Sequence, residues 1–195
     1  MASEHQGTVS DPVRIRALSH PLRLDLIDAL SEGPLTATEC AEITGESVAS
    51  CSFHLRMLAK YGFVVPDARR GRERPWRLVW SDQRLEPGDA ESLVAIRDMA
   101  QVYLERATQR VRHWLARLPD EPDDWVTAST VFGGSFWVTA DEMRAMSRVF
   151  QEVGGEFRGR HQDPSSRPPG ARPVRVFSAL HVDVEEEERT ARRRT

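Results

Sequence analysis

The densest positive segment of this 195-residue chain before its tail lies between positions 68 and 77, where Arg69, Arg70, Arg72, Arg74 and Arg77 face one acid, Glu73. Guanidinium groups are planar, permanently charged and donate in pairs, which suits phosphate oxygens and the guanine edge. Lys60 is the only lysine. Two cysteines, Cys40 and Cys51, are too few for a disulfide framework and fit a reduced, cytoplasmic protein. His161–Asp163 and His181–Asp183 repeat a His-x-Asp spacing that shares one face of a strand, but such pairs arise readily by chance, and a metal needs more donors. Glu142 and Glu152 have no evident acid–base partner. Neither a phosphate-binding glycine loop nor a nucleophile elbow is present. The chain is expected to be no enzyme and to carry no cofactor.

Bulk properties fit an ordinary soluble protein: 39% hydrophobic, 29% charged and a net charge of -3. No stretch approaches the ~18 consecutive apolar residues of a membrane span. The first twelve residues have neither a basic start nor an apolar run, so no secretory signal is expected. Residues 1–80 hold ten acids and ten Lys or Arg, so any affinity for an anionic partner depends on where the charges sit.

The arginines need a scaffold, and the punctuation before them supplies one. Ser10-Asp11-Pro12 opens a helical stripe of Ile15, Leu18, Leu22, Leu26, Ile27 and Leu30. Ser19-His20-Pro21 interrupts it, giving either two helices or one with a bend. Thr36-Ala-Thr-Glu39 is a capping box for a short helix that buries Ala37, Cys40, Ala41 and Ile43 and ends at Gly45. Ser47 caps a third helix reaching about Tyr61, with Val48, Cys51, Leu55 and Leu58 on one face and Gly62 as its stop. Phe63–Pro66 and Pro75–Trp80 are predicted strands, with the arginine-rich segment as the hairpin tip between them. Three helices and a basic hairpin make a winged helix-turn-helix over residues 12–80, after a disordered 1–11.

This segment resembles the ArsR family of bacterial winged-helix regulators. The matching stretches are ALSHPLRLDLIDAL, TATECAEITG and SVASCSFHLRMLAKYGFV; the last carries the family's S-x-H-L-x-x-L-x-x-x-G-x-V pattern as Ser52, His54, Leu55, Leu58, Gly62 and Val64. The resemblance covers about 70 residues across three consecutive elements. It implies a homodimer that places its third helix in the major groove of double-stranded DNA and its wing along the backbone or minor groove. Carried onto this sequence, the DNA-facing residues are Ser47, Ala49, Ser50, Ser52, Phe53, His54 and Arg56 on the helix, with Arg69, Arg70, Arg72 and Arg74 on the wing. The serines can meet phosphates or any base, and Arg56 guanine or phosphate. His54 can equally pack at the helix base.

Many members of this family sense metals, but the ligands are not carried over. The thiolate site needs Cys-x-Cys in the second helical region, where only Cys40 stands. The other metal pattern uses paired Asp and His on the long helix, and Asp98 and His113 lack their companions. No metal is expected, although Cys40 and Cys51 on adjacent helices leave a two-thiol sensor open. Buried cysteine more commonly acts as a small hydrophobe.

A long helix is predicted over 90–118, after a polar joint at 85–89. Leu93, Ile96, Ala100, Tyr103, Leu104, Ala107, Val111 and Trp114 recur at three- and four-residue steps, enough for coiled-coil-like dimerisation. Residues 119–184 are predicted to add a small α+β module: β-structure over Val126–Val138 with Gly133-Gly134 as turn or close-packed spot, a helix opened by the Thr139–Glu142 capping box, a long loop, and an alternating strand from Val174 to Val184. Its aromatic residues Trp125, Phe132, Phe136, Trp137, Phe150 and Phe157 make either a core or a cavity for an apolar small-molecule effector. The charged tail, 185–195, is expected to be disordered. The overall expectation is an α+β, cytoplasmic, homodimeric transcriptional regulator, more readily a repressor, with a winged-helix protein–protein interaction module as the alternative.

Overall fold

The computed structural model describes residues 8–69, 71, 73–79, 84–157 and 159–193. The chain divides into two compact units, one of residues 1–114 with 159–166 and the other of residues 115–158 with 167–195.

In the first unit, β1 (Thr8–Val9) precedes α1 (Pro12–Arg16), α2 (Pro21–Ser31), α3 (Ala37–Thr44) and α4 (Val48–Lys60). Each helix starts where the sequence supplies an acceptor for its free N–H groups. Asp11 accepts from the Val13 N–H at 2.9 Å, His20 Nδ1 from Leu22 at 3.2 Å, and Ser47 Oγ from Ser50 at 3.1 Å. Thr36 and Glu39 close the capping box reciprocally, at 3.2 and 2.6 Å. A cap of this kind stabilises its helix by about 1 kcal/mol. The Ser19–Pro21 interruption therefore separates two helices. Gly45 and Gly62 take the left-handed backbone at φ 74° and 76° that lets the chain leave α3 and α4.

The stripes of these helices meet in one core. Leu18, Leu26 and Leu30 of the first stripe pack with Cys40, Cys51, Leu55, Leu58, Phe63 and Val64. Two apolar positions depart from expectation: Ile43 is 61% exposed, and Val48 is also exposed. Ile43 lies in the last turn of α3, and Val48 opens α4 beside its cap, both at helix ends rather than on the packed middle of the helix.

β2 (Val64–Pro66) and β3 (Trp76–Leu78) form an antiparallel hairpin in the register Val64↔Leu78 and Pro66↔Trp76. Leu35 adds a short third edge through two backbone bonds with Trp76, at 2.7 and 3.1 Å. β4 (Arg84–Leu85) pairs in parallel with β1, and Val9 is buried with Ile15 and Ala95. Residues 8 and 9 thus belong to the fold, and the predicted disordered N-terminus does not extend through them. Residues 1–7 and the predicted strand end at Trp80 lie outside the described residues.

α5 (Ala90–Arg117) opens at a cap that the sequence pattern did not reveal. Asp89 Oδ1 accepts from the Ser92 N–H at 2.7 Å, and Ser92 Oγ accepts from the Asp89 N–H at 2.8 Å. Its inward face supplies Ala95, Met99 and Val102 to the core. Further along, Arg106 and Arg110 close on α2: Arg106 binds Asp25 and, at 2.7 Å, Asp28, while Arg110 reaches Asp28 at 2.6 Å. The Arg106 side chain is only 11% exposed, so this pairing is better shielded than an ordinary surface ion pair. α8 (Gly159–Gln162) also belongs to this unit.

The second unit departs from the predicted module. Residues 126–128, the start of the predicted β-structure, instead belong to α6 (Asp123–Ala128), with Asp123 and Asp124 in the first turn, where the helix dipole favours acids. No strand is present over 129–139 or 171–183, and the alternating Val174–Val184 segment has no ladder partner. α7 (Ala140–Glu152) is the expected helix, with its Thr139–Glu142 capping box intact. Neither the predicted aromatic core nor the cavity forms, since Trp137 is 80% and Phe132 77% exposed. Apolar faces are buried only when a second layer covers them, and without the strands that layer is missing. The charged tail is helical as α9 (Val184–Arg193), not disordered. Asp183 caps it, and Glu186–Arg189 and Glu188–Arg192 pair along it at 3.0 and 3.1 Å. The chain as a whole is α+β through its N-terminal unit.

Candidate nucleic-acid interface

α4 separates its residues cleanly. Cys51, Leu55 and Leu58 have no accessible surface, while Ala49, Phe53, Arg56 and Lys60 are exposed. Those four stand at i, i+4, i+7 and i+11, one ridge along the helix. Ser47 is exposed at the helix start, although its hydroxyl already serves as the cap; Ser50 and Ser52 are half-buried on the flank. The predicted set omitted Lys60, which a helical projection from Phe53 and Arg56 reaches directly. Its ammonium lies 5.5 Å from the Tyr61 ring centroid.

His54 belongs to the seam between α2 and α4. Its ring lies 4.3 Å from that of His20 and 5.1 Å, edge-on, from that of Phe53. Its Nδ1 is buried without a hydrogen-bond partner, as are Ser19 Oγ and Arg23 Nε. Burial holds both imidazoles below their ordinary pKa. Arg23 adds to the shift, and Glu46 opposes it.

The wing carries its charges outward. Arg69 and Arg77 are exposed, and Arg74 is exposed while its Nε donates to the Asp67 carbonyl at 3.3 Å. Arg70 and Arg72 lie outside the described residues. Glu73, the one acid of the cluster, accepts from Thr38 Oγ1 on α3 at 3.1 Å. That contact ties the wing to α3 and occupies the carboxylate. Arg14 of α1 holds the other end of α4, donating through Nε to the Tyr61 carbonyl at 3.2 Å. A helix presented on a rigid scaffold beside an arginine-rich hairpin is suited to lie against a duplex.

Residues 18–66 match a helix-turn-helix domain family. The curated relative "HTH-type transcriptional regulator NmtR" of Mycobacterium tuberculosis is 41% identical over 64 residues, 33% of this chain and 52% of the relative. The chain therefore spans about half the length of that relative. The N-terminal domain is thus a winged helix-turn-helix, similar over residues 18–66 to the helix-turn-helix of regulators of this kind. A solution NMR structure of a homodimeric winged helix-turn-helix DNA-binding domain from Mycobacterium bovis, a possible ArsR-family regulator, is 24% identical. It covers 51% of this chain and 81% of its own, with a TM-score of 0.33, a likeness too slight to carry weight.

The cysteines of this winged-helix domain are core residues. Cys40 and Cys51 are both fully buried, and burial, with Cys51 and Glu39 nearby, pushes the Cys40 thiol up to about 12. Metal binding needs the thiolate, which such an environment disfavours. Among the described residues, no group of three or more His, Cys, Asp or Glu is gathered to hold a metal ion. Asp163 and Asp183, the acids of the two His-x-Asp pairs, instead accept backbone N–H groups from Ser165 and Glu186.

On α5, Leu93, Ala100, Tyr103, Leu104 and Val111 are exposed, and Ala107 and Trp114 are half-buried. Ile96 alone of the predicted dimer stripe packs against the Val9–Ile15–Ala95 cluster of its own unit. No helix of the described residues is long and apolar enough to cross a membrane.

Proposed function

We propose that this chain is a homodimeric, sequence-specific DNA-binding transcriptional regulator that represses by occupying its operator. The supporting observation is the exposed ridge Ala49–Phe53–Arg56–Lys60 on α4, standing beside the outward arginines of the wing. α4 enters the major groove. Arg56 meets guanine or phosphate, Ser47, Ser50 and Ser52 contact the flanking backbone, and Arg69, Arg70, Arg72 and Arg74 follow the phosphates or the minor groove. The exposed Leu93, Tyr103, Leu104 and Val111 of α5 pair with a second copy, so that two recognition helices meet two half-sites.

A small-molecule effector acts by binding the DNA-competent and incompetent states with different affinity.

Fluorescence anisotropy against a duplex operator, repeated over a range of salt concentrations, tests this reading. Each phosphate contact adds about 0.9 to the slope of log affinity against log salt. Arg69→Ala and Arg56→Ala are each expected to lower that slope by about one unit or less and to weaken binding. Unchanged slopes in both variants would remove DNA from the reading and favour a protein partner on the same face.

A further inference from the structure

Phe53 is the anomaly of the recognition helix. The inward face of α4 is already complete with Cys51, Leu55 and Leu58, all without accessible surface, yet this large ring is 53% exposed on the opposite ridge. It sits midway along the ridge, one turn before Arg56 and one turn after Ala49. The ring is also braced. Its neighbour His54 meets it edge-on, with an interplanar angle of 83°, and His20 packs against His54 with ring centroids 4.3 Å apart. His20 is itself fixed, because its Nδ1 accepts the Leu22 N–H at the start of α2. Three rings thus run in series from the exposed ridge back to the helix-turn-helix scaffold.

Edge-to-face packing of this kind restricts how a ring can turn. In the major groove the base edges offer hydrogen-bonding groups at almost every position, and the apolar exception is the C5 methyl of thymine. Insertion of an apolar ring between bases, by contrast, is a device of minor-groove binders. We propose that Phe53 is a specificity-determining residue that selects thymine at one position of each half-site by packing on its 5-methyl group. His54 and His20 are the positioning residues that hold the ring in place. The inference rests on the DNA-reading role proposed above for α4 and adds a chemical rule to it. Serine accepts any base and Arg56 favours guanine, so Phe53 supplies the selection that neither gives.

The test uses the full chain. Binding sites are enriched from a random duplex pool, and each thymine of the enriched site is then replaced singly by deoxyuridine, which removes only the methyl. One thymine per half-site is expected to lose about fourfold in affinity on this replacement, the worth of one buried methyl-sized group. Phe53→Ala is expected to bring that thymine-to-uracil ratio to about one, and His54→Gln to reduce it while the salt slope stays unchanged. His54→Phe, which restores a ring, is expected to recover the ratio. An enriched site without a methyl-sensitive thymine, or a ratio that survives in Phe53→Ala, overturns the inference and leaves the DNA-reading role standing. Failure to enrich any site overturns that role, and the inference with it.

Discussion

The unit of residues 8–114 with 159–166 encloses Ile15, Leu26, Leu55 and Phe63 with no accessible surface, whereas in the unit of residues 115–157 with 167–193 Val131, Phe132 and Trp137 lie open. Both regions carry amphipathic helices with intact capping boxes, at Thr36 and at Thr139. What separates them is coverage. In the first, the stripes of α2, α3, α4 and α5 face one another and the hairpin closes over them. In the second, α7 has apolar residues at helical spacing but no sheet to receive them. Local signals specify that an element forms; they do not specify that anything packs on it.

The comparison breaks most directly at two apolar positions. Leu55→Ala is expected to cost about 3 kcal/mol in a urea unfolding series, through lost burial and the cavity left behind. Trp137→Ala is expected to change stability by about 0.5 kcal/mol or less. A Trp137 effect as large as that of Leu55 would mean that the second region is covered in solution. Next comes Arg106→Ala, which strips the best-buried cation from the Asp25–Asp28 pairing. Thermal unfolding is expected to report a loss of about 2 kcal/mol, the scale of a hydrogen bond to a charged group.

The two capping boxes sharpen the contrast further. Thr36→Ala is expected to lower global stability by about 1 kcal/mol, because α3 unfolds only with its core. Thr139→Ala is expected to lower helical content by circular dichroism without moving the main unfolding transition. A shared shift would show the two regions unfolding together.

The smallest effect is one of pH. Burial keeps His20 and His54 below their ordinary pKa, so below about 6.5 the unfolded chain binds more protons than the folded one. Stability of the first unit is therefore expected to be unaffected by these groups above that pH and to fall as the pH drops below it. His54→Gln should flatten the decline. The second region contains no such pair among its described residues.

Much of the first unit was legible because its information is local. Asp11, Thr36 and Ser47 cap within three residues of themselves, and Gly62 stops α4 at the point where a side chain would be strained. On α4, Ala49, Phe53 and Arg56 of the set carried over from the family resemblance are exposed, while the half-buried His54 and the omitted Lys60 show that a resemblance marks a face only coarsely. Ile43 and Val48 misled because residue type predicts a preference for burial, while their positions at helix ends decide whether a neighbour is there. Val174–Val184 misled for the same reason at larger scale: alternation shows a strand's two faces, but a strand needs a partner whose location is not written nearby. The helix at α9 was readable in principle, since glutamates lead and arginines follow, as the helix dipole favours.

The ion pairing of Arg106 and Arg110 with Asp25 and Asp28 has a practical consequence for anyone cutting this protein into pieces. A fragment ending at the hairpin, near residue 80, loses Ala95, Met99 and Val102 from its core and leaves two α2 carboxylates without their cations. The smallest autonomous piece of the N-terminal unit must therefore run past Arg110, and the long helix has to be counted as part of the winged-helix scaffold rather than as a handle attached to it.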